Sequence, residues 1–179
     1  MDPRCWGPDA WHVLHGLPWR CNLRLAEPFV GALSDVLPCI HCRQSFRALL
    51  RMLPVDDRQP ITLAEWAWRA HNAVNEKLGK PRYEFAAVLG APLADADWQQ
   101  AISNLASFVA LNYPAAAPSA GQRRAHGAFF QLLGALAGFP TSDLDAALED
   151  REQLYAWLRA ARQLPDDRAL IEQVRVSKR

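Results

Sequence analysis

Apolar residues recur three and four positions apart along nearly the whole chain, and no run alternates apolar with polar residues over a strand's length. That spacing lines one face of a helix, so the chain is restricted to an all-α fold. Prolines, glycines and caps then predict where helices begin and end. The first helix is expected over 8–17, with Pro8 and Asp9 suited to a first turn, Trp11, Leu14 and His15 on one face, and Pro18 ending or bending it. A second covers about 28–37 and stops before Pro38, and a third starts near Cys39 and carries Phe46, Leu49, Leu50 and Leu53 to Pro54. After the polar loop 55–60, Thr62 with Glu65 three residues on has the form of a capping box and opens a fourth helix, which closes at Gly79-Lys80-Pro81.

The segment 87–95, with Gly90 and Pro92, reads as a boundary that divides the chain into domains 1–90 and 91–179. In the second, Trp98, Ile102, Leu105, Val109 and Asn112 lie along one helix, and 114–121 is a linker or long loop. Helices follow over 122–138 and over 143–163, the latter opened by Ser142 with Asp145 three residues on, and a short one from Asp166. No internal repeat is evident, and the basic end 175–179 reads as solvated and frayed. Phe129, Phe130, Leu133, Leu136, Leu154, Tyr155, Trp157 and Leu158 are expected in a core, and His126 has no cysteine or second histidine near it in sequence.

Half of the 179 residues are hydrophobic, enough to bury a real core, while 20 Lys and Arg oppose 19 Asp and Glu. A net charge of +1 gives no sequence-independent grip on nucleic acid, so no such partner is expected. The most apolar later stretch, 127–139, contains Gln131 and falls short of the roughly 20 apolar residues that span a bilayer. The opening residues lack a basic stretch followed by an apolar run, so neither a signal peptide nor a membrane partner is expected and the protein should be soluble.

With 4 cysteines in the chain, any function for them must come from position. Cys39-Ile40-His41-Cys42 is a CxxC pair at a predicted helix start, where unpaired N–H groups and the helix dipole stabilise a thiolate and the spacing brings two sulfurs toward disulfide distance. Redox cycling, a zinc half-site and two inert buried cysteines all fit the pair taken alone. Zinc needs two further ligands, and the chain offers Cys5, Cys21 and 5 His but no second CxxC or HxxxH. A second cluster runs from His71 to Tyr83. On a helix His71, Asn72 and Asn75 fall three and four apart, with Lys80 just past the end, a face that can grip a polar ligand bearing an anionic group. A third cluster, Trp6 to His15, sets Trp11 and His15 four apart; taken singly, a Trp in a helical core next to a half-exposed His explains it better than a cofactor site.

Taken together, in this order, the three motifs resemble the Erv/ALR family of FAD-dependent sulfhydryl oxidases. The resemblance covers about residues 6–85 and rests on Trp11 with His15, Pro38 with the CxxC, and the His-Asn-x-Val-Asn-x-x-Leu-x-Lys-Pro run. It implies a four-helix bundle with a short fifth helix, holding FAD among the helices, usually as a homodimer, so no Gly-rich dinucleotide fingerprint is expected. Residue by residue, it assigns Cys42 as the sulfur beside the isoalloxazine and Cys39 as the interchange thiol. Trp11, His15, His71, Asn72, Val74 and Asn75 match positions that line flavin and adenine, and Gly7, Lys77, Lys80 and Tyr83 match positions near the ring or pyrophosphate. No metal site is implied. The activity implied is disulfide formation in protein dithiols or a thioredoxin-like shuttle, with O2 as acceptor and H2O2 as product. A bundle that has lost flavin and serves as an interaction module, and a CxxC zinc-binding adaptor, are the alternatives.

Two departures stand out. Many members brace the fourth helix with a disulfide having sixteen residues between its cysteines, and the matching positions here are Trp68 and Phe85, so an aromatic contact is expected to stand in for the covalent brace. In being cysteine-poor, and in its opening Trp6-Gly7-Pro8 run, the chain resembles members encoded by large DNA viruses, which implies host cytoplasm or virion. Cellular members also carry shuttle cysteines; Cys5 and Cys21, at opposite ends of the first helix, are too far apart to pair within one chain. Residues 91–179 carry no motif tied to chemistry and are expected to form an accessory helical domain.

Overall fold

Asp2 sets the start of the first helix: its carboxylate accepts the Arg4 N–H at 2.8 Å, and Pro3 takes the first helical position, where a missing N–H costs nothing. The computed structural model describes residues 1–90 and 94–162. In it α1 spans Pro3–Arg20, longer at both ends than the proline punctuation predicts. Pro8 and Pro18 lie inside it, each deleting one helical hydrogen bond, and both sit within two turns of an end, where the helix tolerates the loss. A single 3-10 turn, Leu23–Leu25, leads to α2 (Ala26–Val36), then α3 (Ile40–Met52) and α4 (Pro60–Lys77). The cap of α4 also differs from expectation. Pro60 starts it and Gln59 caps it, donating its backbone N–H to Thr62 Oγ1 at 3.2 Å, so Thr62 is the third helical residue rather than the cap.

The short fifth helix is present as α5 (Phe85–Gly90). Beyond it come α6 (Asp95–Leu111), α7 (Ala120–Ala137), α8 (Leu144–Ala147) and α9 (Arg151–Arg162), with no strand among the described residues. The fold is therefore all-α, as the periodicity requires. The single helix expected over 143–163 is broken in two. Asp143 adopts a left-handed backbone (φ 60°), the Tyr113 hydroxyl donates to the Leu148 carbonyl at 2.8 Å, and Asp150 caps α9 by accepting the Gln153 N–H at 2.8 Å. The expected helix from Asp166, the basic end 175–179 and the part of the boundary at 91–93 lie outside the described residues.

Packing ties the later helices to the first two. α6 runs antiparallel along α1: Arg20 pairs with Asp95 at 3.0 Å, the Trp98 indole donates to the Val13 carbonyl at 3.2 Å, and Asn104 donates to the Asp9 carboxylate at 3.2 Å. α7 lies on α2, where the Phe29 and Phe129 rings stack with centroids 5.8 Å apart. The first helix of the second half thus covers the first of the chain, and the second covers the second. α6 is buried nearly all round, the signature of a central helix, and one hydrophobic cluster runs from Trp6 to Leu158. Tyr155 and Trp157 pack against its edge. Among the described residues no helix is long and apolar enough to cross a membrane.

The closest approach of α6 to α1 depends on Gly16, where a methyl group would collide with the Trp98 indole. Gly16→Ala should therefore lower unfolding stability by about 1–3 kcal/mol despite alanine's better helix propensity. A denaturant midpoint at or above wild type would contradict this packing.

Candidate functional site

Between α2 and α3 the chain extends through Pro38, and Cys39 becomes the N-cap of α3 (φ −132°, ψ 121°). Its sulfur accepts the Cys42 N–H at 3.2 Å, one of the donors every helix start leaves unpaired. Cys39 and Cys42 are joined as a disulfide with their Cα atoms 5.1 Å apart. Both are half-buried, while Ile40 (53% exposed) and His41 lie open to solvent beside them. One turn on from Cys42, on the same face of α3, is Phe46, whose ring meets Trp11 of α1 edge to face at 6.4 Å. Cys42 is thus the sulfur one turn from the ring that meets Trp11.

Trp11 is the centre of an aromatic group built from α1 and α4. Its indole stacks on His71 at 4.2 Å with 5° between the planes, and His15 lies 6.1 Å from it. His15 Nε2 and His71 Nδ1 are 3.0 Å apart and share one hydrogen. Burial lowers both imidazoles to about 4; for His15 the neighbouring His71 adds to this, and for His71 the Lys80 charge does. Both rings are consequently neutral near pH 7, so the stack presents an uncharged planar wall.

The amides have different fates. Asn72, 2% exposed, bonds the backbone of Tyr83: it donates to the Tyr83 carbonyl at 2.9 Å and accepts the Tyr83 N–H at 2.9 Å. Asn75 is 4% exposed, and its Nδ2 has no partner in the chain. Trp6 Nε1 and His15 Nδ1 are buried and unpartnered as well. Leaving such an atom unpaired costs about 1–3 kcal/mol, and Asn75 Nδ2 and His15 Nδ1 are the two of these that belong to the motif residues on α1 and α4. Tyr83 stands over His71 with ring centroids 5.7 Å apart. Val74 is half-buried, Gly7 has open space where a Cβ would be, and Lys80 is exposed past the end of α4. Lys77 reaches across to α3 and donates to Ser45 Oγ at 2.7 Å.

Three participants escape the sequence motifs: Phe46, Ser45 and Trp68, whose indole donates to the Tyr83 carbonyl at 2.6 Å. Phe46 had a signal, its spacing of four from Cys42. The expected contact of Trp68 with Phe85 is present, centroids 5.4 Å apart. Cys5 and Cys21 are free; Cys21 donates to the Leu17 carbonyl at 3.0 Å, and burial pushes its thiol up to about 11. His126 is buried at 4%, against Tyr113. No group of three His, Cys, Asp or Glu that could hold a metal occurs among the described residues. A groove of about 400 Å³ between α7 and α8, lined by Arg123, Arg124, Gln131 and Asp145, contains none of the motif residues.

The first half of the chain is similar in sequence to known proteins. The model of the Erv1 / Alr family matches residues 9–99. The FAD-linked sulfhydryl oxidase ERV1 of Oryza sativa subsp. japonica is 30% identical over 82 residues, 42% of this chain and 42% of that protein. The FAD-linked sulfhydryl oxidase ERV2 of Saccharomyces cerevisiae is 34% identical over 90 residues, 46% of each chain. The mitochondrial FAD-linked sulfhydryl oxidase ERV1 of the same yeast is 27% identical over 85 residues, 44% of this chain and 45% of that protein. The chain thus spans less than half the length of these relatives. No solved structure matches.

The buried imidazoles make stability depend on pH. His15, His71 and His126 have folded values near 4, below the ordinary 6.5, so as pH falls from 6.5 toward 4 the unfolded chain gains protons that the folded chain refuses. Stability should be full above pH 6.5 and decline through that window. Denaturant titrations at pH 7.5 and 4.5 check this, and an equal or higher midpoint at pH 4.5 would refute it.

Proposed function

This chain belongs to the Erv1/Alr family, and on that premise we propose that it is an oxidoreductase, a flavin-dependent sulfhydryl oxidase that makes disulfide bonds in protein thiols. The observation that carries the reading is the Cys39–Cys42 disulfide at the start of α3, with Cys42 one turn from the Phe46 ring that packs on the Trp11–His71 stack. The residues fit FAD. A flat neutral aromatic wall suits a planar ring system, Asn75 Nδ2, His15 Nδ1 and Trp6 Nε1 are buried and unmatched, and Lys77 and Lys80 supply positive charge for a pyrophosphate. Trp11, His15, His71, Val74 and Asn75 would hold the cofactor, with Gly7, Lys77, Lys80 and Tyr83 at its margins. Asn72 would act on it through Tyr83.

The thiol chemistry follows from the helix start. A substrate thiolate attacks Cys39 Sγ, the bond between Cys39 and Cys42 breaks, and Cys42 leaves as a thiolate on the side facing α1. The second substrate thiol, deprotonated, attacks the substrate sulfur of the mixed disulfide; the substrate leaves oxidised and Cys39 leaves as a thiolate. Its N-cap position and the Cys42 N–H favour that thiolate, and a low-pKa sulfur leaves faster. The chemistry that bound FAD supplies is acceptance of the pair's two electrons and their delivery to dioxygen as hydrogen peroxide. Exposed Ile40 and His41 leave Cys39 open to a protein substrate or a thioredoxin-like shuttle, and Cys21, with its raised thiol and bonded sulfur, is a poor relay.

The remainder of the proposal concerns the surroundings. In this reading residues 1–90 are the flavin domain and the later half an accessory one, whose described residues, 94–162, pack against α1 and α2. A homodimer would therefore have to meet on other faces of the chain. The scarcity of cysteines supports a place beside the members encoded by large DNA viruses.

Purified protein should retain visible flavin absorption after FAD is supplied and the excess removed, and should consume oxygen when given a dithiol. Cys42→Ser should abolish turnover with FAD still bound; turnover surviving that change would sink the mechanism. Asn75→Ala should weaken FAD retention by about tenfold, read by equilibrium dialysis.

A further inference from the structure

Beyond α4 the chain reverses and runs back along the helix it has just left. Gly79 supplies the left-handed residue (φ 65°) that the reversal needs, and the Lys80 N–H closes the turn on the Asn75 carbonyl at 2.8 Å. The strap 80–84 is in no helix, and Lys80, Pro81, Arg82, Tyr83 and Glu84 are all exposed, yet it is fastened at one point. Three hydrogen bonds converge on the Tyr83 backbone: Trp68 Nε1–H and Asn72 Nδ2–H both donate to its carbonyl, at 2.6 and 2.9 Å, and its N–H donates to Asn72 Oδ1 at 2.9 Å. Trp68 and Asn72 are four apart on α4, and Asn75, with its buried unpartnered amide, follows on the same stripe. At the far end of the strap Phe85 lies against the Trp68 ring.

We propose that Trp68 and Asn72 are positioning residues that latch the strap 80–84 over the cofactor site, so that cofactor release requires Tyr83 to be unfastened from α4. This rests on the flavin reading above and adds a route to it. The fastening holds the Tyr83 ring over His71, beside the stack that would receive the planar ring, and sets Lys80 near enough for its charge to act on His71. A carbonyl that accepts two donors is the natural failure point: losing the indole N–H leaves the Asn72 pair alone to hold an otherwise exposed segment. Because the latch is made of hydrogen bonds and one ring contact, it opens without any redox step and is indifferent to thiol reagents.

Trp68→Phe tests this, since it keeps a ring against Phe85 and removes only the N–H. Two readouts follow strap opening. One is trypsin cleavage after Arg82 in the flavin-free protein, Lys80 being protected by Pro81. The other is the rate of FAD release, followed by the fluorescence gained on leaving the protein. Both should rise about fivefold or more, on the order of one lost hydrogen bond, with the global unfolding midpoint close to wild type and neither rate altered by a phosphine reductant. Phe85→Ala, at the other end of the latch, should act in the same direction. Cleavage and release at wild-type rates in Trp68→Phe would overturn the latch while leaving the flavin reading intact. Wild-type protein that takes up no FAD would overturn that reading and the cofactor role of the strap together. A large fall in the unfolding midpoint accompanying both rates would reduce Trp68 to a stability residue and also overturn the proposal.

Discussion

The seating of the Trp98 indole on Gly16 is the contact on which the rest of the arrangement depends. α1 carries Trp11 and His15 toward α4 and Val13 and Gly16 toward α6, so one helix serves the site on one side and the later half of the chain on the other. A glycine at the crossing lets the two backbones approach until the indole N–H reaches the Val13 carbonyl. Interiors pack to near-crystalline density, so a helix held this tightly on one side cannot shift freely on the other. The half of the chain without chemical motifs thereby sets the rigidity of the half that has them.

Desolvation dominates the electrostatics of the site. Two imidazoles sharing a hydrogen at 3.0 Å could not both be charged, and burial keeps them neutral well below pH 7. The positive charge sits instead at the margin, on exposed Lys77 and Lys80, where it costs little to solvate. A neutral aromatic wall with a cationic rim is the distribution that a planar ring bearing a distant anionic group needs, and the reverse order would reject it.

How much of this was legible in the sequence depends on whether the partner of each residue lies nearby in the chain. The helical class, the CxxC at a helix start and the stripe from His71 to Asn75 are local patterns, and periodicity exposes them. Proline punctuation misplaced the ends of α1 because Asp2 and Pro3 form a good start that reads as an unstructured end. The break between α8 and α9 was hidden because the segment has helical spacing throughout; Tyr113, 35 residues earlier, holds the Leu148 carbonyl. Asn72 matches a position that lines the cofactor in the family resemblance, and the bonds it makes to the Tyr83 backbone eleven residues on are not visible in the sequence pattern. Trp68 was recognised for its ring, while its decisive atom, the indole N–H, has no signature in a pattern of apolar residues.

The division of labour among the 4 cysteines closes the physical argument. Only Cys39 and Cys42 are bonded; Cys21 and Cys5 are free, half-buried thiols. At the positions where the family resemblance implies a second disulfide, this chain places the Trp68 indole against the Phe85 ring, with the Asn72 amide one turn on. A reductant in solution therefore meets one disulfide, the one proposed to turn over, and no structural bond is exposed to the same chemistry. Under the proposed function, Cys39 and Cys42 can be reduced without breaking any of the bonds that hold residues 80–84 to α4.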